Sequence, residues 1–454
     1  MESIKDRVSK YHRLVIFGLI LGGLLLVTLN LPVSSAGRSP LRPNALVDTQ
    51  HVLMSVEIGS AAYNAHPETQ AAMIGEIQRL NSELQNTLLK MNRSWDSNEG
   101  STRAVLVYLP ADSKKFNGEL KMLYLSIGVM RAHQPDGMRT DLIVATPEAA
   151  FPESLGCIHS TRTSSHDPEA CFIMRHVPLS ERANPHPLTA YKGYVDSMLV
   201  LAEFPNAIAY DVVLRTDLDT FLTPGFARWT LPEQLVLATG IGGYDSTTAK
   251  RHLGWVMRRD RLGLKNDTLP DDPAELHDMK GIGSTWAGKS GVMVALGKLT
   301  IAAMVWLHTQ EFSEYEKNPV SSDLGWPNWH WPVLLLYGGH IAVNQVPSEK
   351  VFITAFQPDA PMRLDQGTTD TQPLPNSTIH MHCWHTDELF SKFAFALGQY
   401  ADMDLGSFLA MESASAYAVT VAVSSARLGE GEMASLLANA TAMSSGAWIR
   451  QYRV

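Results

Sequence analysis

Cysteine is scarce in this chain, and so is charge. Three cysteines in 454 residues exclude a disulfide-stapled scaffold; they leave room for one bridge and one free thiol. Charged residues make up 18% of the chain, no dense Lys/Arg block is present, and the formal net charge is -9. A nucleic-acid partner, whose affinity rests on neutralising phosphates, does not fit that balance. No internal repeat is evident. What is present is an apolar fraction of 45%, enough for a real core in one large domain or two ordinary ones.

Leu14 to Leu31 carries no charged residue, and Lys5, Arg7, Lys10 and Arg13 precede it. Length and basic flank point to a membrane span with its N-terminus in the cytoplasm. The competing reading is a cleaved signal peptide, with Ser34-Ser35-Ala36 before Gly37 as the small-residue site. The retained anchor is preferred because the run is longer than the roughly 7 to 15 residues of a signal core. Either reading delivers the rest to the secretory lumen, in the Golgi or endoplasmic reticulum membrane if the anchor stays. Sequons at Asn92, Asn266, Asn376 and Asn439 fit that route. Cys157 to Cys171 is the preferred disulfide, with the two pairings through Cys383 left open.

Pro32 to Pro43 reads as a solvated linker. Within Glu68 to Met91, Ile77, Leu80, Leu84, Leu88 and Met91 recur at helical spacing. That stripe could dimerise the protein as a coiled-coil stem, or pack against the protein's own domain. From Arg103 the pattern changes. Ala104–Leu109 and Asp141–Ala145 read as buried strands, Leu120–Ala132 and Ala190–Glu203 as helices. Such alternation implies an open, largely parallel α/β sheet. Further along, Val292–Leu296 is expected as a strand, Leu299–His308 as a helix, Ser377–Cys383 as a closing strand, and the chain from Asp387 as a helical layer.

The chemistry concentrates in Tyr210–Leu222, YDVVLRTDLDTFL. Asp217 and Asp219 are spaced i, i+2, which on a strand puts both carboxylates on one face, able to hold a hard divalent cation against a diphosphate. Ligands of open α/β sheets bind beyond the carboxyl ends of the strands, where this pair would sit. Arg215 would share the face and pair with phosphate or with the aspartates. His380, His382 and His385 cluster in IHMHCWHT, and neutral imidazole suits ions of the Mn²⁺ kind. Gly283–Ser290, GSTWAGKS, fits the phosphate-loop pattern formally. It lacks the preceding strand and following helix that such a loop needs, so it is read as a false match.

An anchor, a stem, an α/β domain and a strand ending in Asp-x-Asp together resemble a type II glycosyltransferase of the GT-A superfamily. The resemblance implies a GT-A-like, mixed and mostly parallel sheet flanked by helices. It divides the chain into a cytoplasmic tail at 1–13, the anchor at 14–31, a stem at 32–102, a catalytic domain at 103–386 and a helical extension at 387–454. It implies a nucleotide-sugar donor, a glycan, protein or lipid acceptor, and Mn²⁺ or Mg²⁺ held by Asp217, Asp219 and a histidine, His382 before His380 or His385. Lys192 in TAYKGY resembles a basic donor-binding residue of such enzymes. Ser290 and Gly291, in Gly288–Met293, resemble the small-residue stretch against which the donor sugar lies, and Trp286 offers the donor an aromatic face. Trp329 and His330 would contact the acceptor, and Asp323 or Glu311 would act as general base if the reaction inverts the anomeric centre. A HAD-type phosphatase, a lumenal sulfotransferase and a catalytically silent sugar-binding protein are the competing readings.

Overall fold

Residues 104–108 form a continuous run of hydrophobic side chains, as suits a strand buried on both faces. In the computed structural model they lie in β1 (Thr102–Tyr108): Ala104 and Leu106 enter one hydrophobic core while Val105 and Val107 enter another on the opposite face. The structure describes residues 67–91, 101–111, 114–162, 167–184, 186–191, 193–205, 207–230, 234–238, 246–258, 261–264, 282–318, 328–354, 362–368, 374, 376–383, 390–400, 402–405 and 413–438. The expected anchor and linker, Lys192, Asp323, His385 and the sequons at Asn92, Asn266 and Asn439 lie outside them. Asn376 lies in an exposed turn.

The other strands are Arg139–Thr146 (β2), Cys171–Arg175 (β3), Val212–Arg215 (β4), Thr220–Leu222 (β5), Leu235–Leu237 (β6), Trp286–Lys289 (β7), Val351–Ile353 (β8), Gln366–Gly367 (β9) and His380–His382 (β10). Seven form one sheet in the order β3-β2-β1-β4-β7-β6-β8. All its neighbours pair in parallel except at β7, which runs against both β4 and β6. This is the mixed, mostly parallel sheet expected from the sequence. β5, β10 and β9 form a second, three-stranded sheet.

Helices cover both faces of the large sheet. Pro67–Met91 (α1), Gly193–Ala202 (α3), Thr247–Met257 (α4), Ser290–Trp306 (α5) and Leu334–Val343 (α6) share one core; Lys114–Arg131 (α2), between α1 and α3 in the chain, lies in the other with the later Ala414–Arg427 and Glu430–Ala438. Gly297 of α5 meets Ala202 of α3 so closely that a Cβ there would come within 2.8 Å of the Ala202 nitrogen. Only glycine permits that approach. A disulfide joins Cys157 to Cys171, and Cys383 is free and buried.

Two expectations are corrected. Val292–Leu296 is helical, the first part of α5, because a continuous apolar run reads the same for a buried strand and for a helix buried on all sides. Ser290–Glu311 is long and apolar enough to cross a membrane, but 83% of its apolar window is buried inside the protein, as a core helix is. The second correction concerns the stem. Met73, Ile77, Leu80, Leu84 and Leu88 of α1 are all buried in the same core as α5, and Lys298 of α5 pairs with Glu83 at 2.8 Å. The stripe offered for a homodimer is taken up by the protein's own domain, so that face is not free for a second copy.

Leu84→Ala should therefore cost about 2–5 kcal/mol of folding stability, as expected for a leucine removed from a closed core. Equilibrium unfolding reads this, with the oligomeric state by sedimentation unchanged. A loss of dimer without loss of stability would restore the stem reading.

Candidate metal and donor site

The site forms where the chain passes from the large sheet to the small one. β4 ends at Arg215 and β5 starts at Thr220, so Asp217 and Asp219 lie in the bend between two strands, not on one strand. Thr220 Oγ1 closes the bend by donating to the Asp217 carbonyl at 2.8 Å. β10 pairs antiparallel with β5 in the register His382↔Thr220 and His380↔Leu222, and the Cys383 N–H donates to the Asp219 carbonyl at 3.0 Å. That register carries His382 to Asp219. One ligand atom from each of Asp217, Asp219 and His382 falls within 4.8 Å of the others. Two carboxylates and an imidazole in that space suit a divalent ion of the Mn²⁺ or Mg²⁺ kind, with Mn²⁺ the better match to the imidazole.

His382 is oriented from behind. Its Nε2 lies 3.4 Å from Asp219 Oδ1 and its Nδ1 lies 3.7 Å from Asp365 Oδ2. Asp365, buried and held at φ 59°, also lies 2.9 Å from His380 Nδ1. His380 Nε2 is 2.9 Å from Thr216 Oγ1. Both nitrogens of His380 are thus engaged, and the residue is fully buried. It is corrected from a metal ligand to a residue that fixes Asp365, which in turn fixes His382, as outer-shell carboxylates do around metal sites.

Of the two partners expected for Arg215, phosphate or an aspartate, it is paired with the aspartate. It is buried, with Nη2 donating to Ser197 Oγ at 2.8 Å, Nη1 donating to the Ser284 carbonyl, and Nη2 lying 3.2 Å from Asp217 Oδ1. A desolvated guanidinium satisfied in this way cannot reach out to a phosphate; it positions Asp217. Trp286 is a core residue whose indole N–H donates to the Gly283 carbonyl at 2.9 Å. Because β7 is antiparallel to β4, with Val212 opposite Lys289, Ser290 and Gly291 stand at the opposite end of the sheet from the aspartates. Ser290 Oγ is spent there on the Tyr210 carbonyl. The strand β7 occupies the phosphate-loop pattern itself, so no loop is left to cradle an anion; a helix does follow directly, contrary to expectation.

Trp329 stacks on Phe312 and Tyr337 at 4.4 and 4.7 Å, and the His330 N–H donates to the Tyr337 hydroxyl at 3.2 Å. These contacts pack the helical face. Glu311 is held by Arg261 at 2.6 Å, the Trp306 indole N–H at 3.0 Å and His252 at 3.3 Å, so it anchors its own turn and is corrected as a base candidate.

Besides Asp365, two charged residues of the site escaped the sequence reading. Lys392 opens the short helix Lys392–Ala396 and pairs with Asp219 Oδ2. Glu119 of α2 is buried, its Oε1 has no hydrogen-bond partner, and the Lys115 ammonium stands 3.8 Å away. Burial alone would raise the Asp219 carboxyl, but His382 and Lys392 outweigh it and hold the group well below the usual carboxylate range. Burial would lower His382; Asp219 and Asp365 reverse this and keep it well above an ordinary histidine. Burial, with Asp219 adding to it, pushes Glu119 up from 4.5 to about 7.

Fold and site together define an α/β protein with a candidate divalent-cation centre beyond the carboxyl end of β4. The chain belongs to the family described as Domain of unknown function (DUF7164), whose model matches residues 97–450. Comparison with curated proteins found no match. Among solved structures, mouse xyloside xylosyltransferase 1 in its apo form matches with 12% identity, 56% of this chain and 84% of that chain covered, and a TM-score of 0.27. A superposition that loose says nothing about site or reaction.

Two outcomes follow from the site. Asp365→Asn, which keeps the shape and tolerates positive φ, should weaken Mn²⁺ binding measured by calorimetry by about 10- to 100-fold. Glu119 binds its proton more tightly folded than unfolded, so its contribution to stability is full below pH 4.5 and is lost as pH rises to about 7. In metal-free protein, Glu119→Gln should thus gain up to about 3 kcal/mol over the parent at pH 8 and nothing at pH 4, by denaturant unfolding.

Proposed function

We propose that the protein is a metal-dependent glycosyltransferase that moves a sugar from a nucleotide-diphosphate donor to a glycan, protein or lipid acceptor. The observation that carries the reading is the convergence of Asp217, Asp219 and His382 at the end of β4. β4 adjoins β1, while β2 and β3 lie on the other side of β1. The bend therefore opens at the point where the strand order reverses, the crevice in which open α/β sheets bind nucleotides.

Asp219 and His382 would be the inner ligands of Mn²⁺ or Mg²⁺, and Asp217, whose side chain is 35% exposed, the outer one. A bound cation supplies the charge that stabilises a departing nucleoside diphosphate. The protein's own work is to hold these groups ready. Arg215 fixes Asp217, and the chain Thr216, His380, Asp365 fixes His382. With Trp286–Lys289 folded as a strand inside the Gly283–Ser290 pattern, the sulfotransferase reading loses its phosphate loop. Retention of Leu14–Leu31 as an anchor and a lumenal catalytic domain belong to the same proposal. The Cys157–Cys171 disulfide and the exposed sequon at Asn376 support the lumenal placement.

Calorimetry of UDP and GDP with the full chain, with and without Mn²⁺ and beside Asp219→Ala, tests the reading. It requires that one nucleotide bind only with metal and only with Asp219 intact. Failure of both nucleotides on folded protein would sink it and leave a sugar-binding protein without catalysis.

A further inference from the structure

Lys392 is the group that sits where a cation is expected to act. Its ammonium pairs with Asp219 Oδ2 while His382 faces Oδ1 of the same carboxylate, and the lysine is buried. A divalent ion drawn in by Asp217, Asp219 and His382 would stand beside that ammonium in a poorly solvated corner, where like charges repel strongly. The lysine cannot stay on Asp219 at full strength once the ion is there, and a buried ammonium that leaves one carboxylate needs another.

Glu119 supplies it. Its carboxyl is buried on α2 and its Oε1 has no hydrogen-bond partner, the more exposed Lys115 ammonium standing off at 3.8 Å; both Asp219 and Lys392 act on its charge. Helix α2 also packs against the short helix that Lys392 opens. Nothing in the reaction proposed above uses either residue.

We propose that Lys392 is a resident counter-cation that holds the divalent-cation site in its empty form and moves from Asp219 to Glu119 when the ion binds. The inference rests on the reading of Asp217, Asp219 and His382 as metal ligands. Cation affinity is then set by an exchange, and the apparent affinity is reduced by the fraction of molecules in which the lysine holds the oxygen; a lysine in place about nine times in ten weakens binding about tenfold.

The test is calorimetry of Mn²⁺ alone, without nucleotide, on the full chain and its variants, with the fold of each checked by circular dichroism. Lys392→Met should bind Mn²⁺ at least about tenfold tighter than the parent. Lys392→Arg, which keeps the charge, should show no gain. Glu119→Gln should weaken Mn²⁺ binding in the parent and do so much less in the Lys392→Met background, because its role is to receive the lysine. Mn²⁺ binding that needs Asp219 but is unchanged or weaker in folded Lys392→Met would overturn the exchange and leave the metal reading standing. An equal gain in Lys392→Arg, or a Glu119→Gln effect undiminished in the double variant, would also overturn it. Absence of Mn²⁺ binding in both parent and Lys392→Met would overturn the metal reading and the exchange together.

Discussion

A carboxylate removed from water stays ionised only if cations or hydrogen bonds replace the solvent, and Asp219 is such a carboxylate. The site follows from meeting that requirement. His382 answers one oxygen and Lys392 the other, and each brings its own element to the corner: β10 from the small sheet and the short helix that begins at Lys392. Asp365 repeats the logic one layer further in, a buried carboxylate between two imidazoles. The result is a row in which carboxylates alternate with basic side chains, Lys392, Asp219, His382, Asp365 and His380, and which ends on the Thr216 hydroxyl just past β4.

The fold supplies the two surfaces between which this row is stretched. The large sheet is covered on both faces, so polar residues gather at the tips of its strands, and β4 ends at Arg215 and runs out into Thr216 and Asp217. The small sheet exists to return β10 alongside β5, and its register decides which histidine faces the aspartates. A shift of one residue would exchange the faces of His382 and Met381. Function in this corner therefore depends on strand pairing between segments about 160 residues apart in the chain, a separation given by His380 and Leu222.

The apolar strands and most helices were legible because they are long and regular: Thr102–Tyr108, Arg139–Thr146 and Val212–Arg215 all fall where their β-branched runs put them. The helix at Ser290 was misread in its first half because an all-apolar run has no period to read. The fate of the α1 stripe was open for a related reason: a heptad-like face looks the same whether it meets a second copy or its own sheet. At the site, Asp217, Asp219 and His382 were legible as a motif and a nearby histidine. Lys392, Asp365 and Glu119 were not, since each is a single charged residue on an unremarkable segment whose importance comes only from tertiary placement. Trp286 and Trp329 erred the other way. Their chemistry suits ligands, but burial had already committed it to packing and to holding neighbours.

Diffraction from crystals soaked in Mn²⁺, with data collected at the manganese absorption edge, tests the central claim most directly. The account predicts one anomalous peak bounded by Asp217, Asp219 and His382, with the Lys392 ammonium withdrawn from Asp219. Well-ordered crystals with no peak there and Lys392 still seated on Asp219 would contradict it.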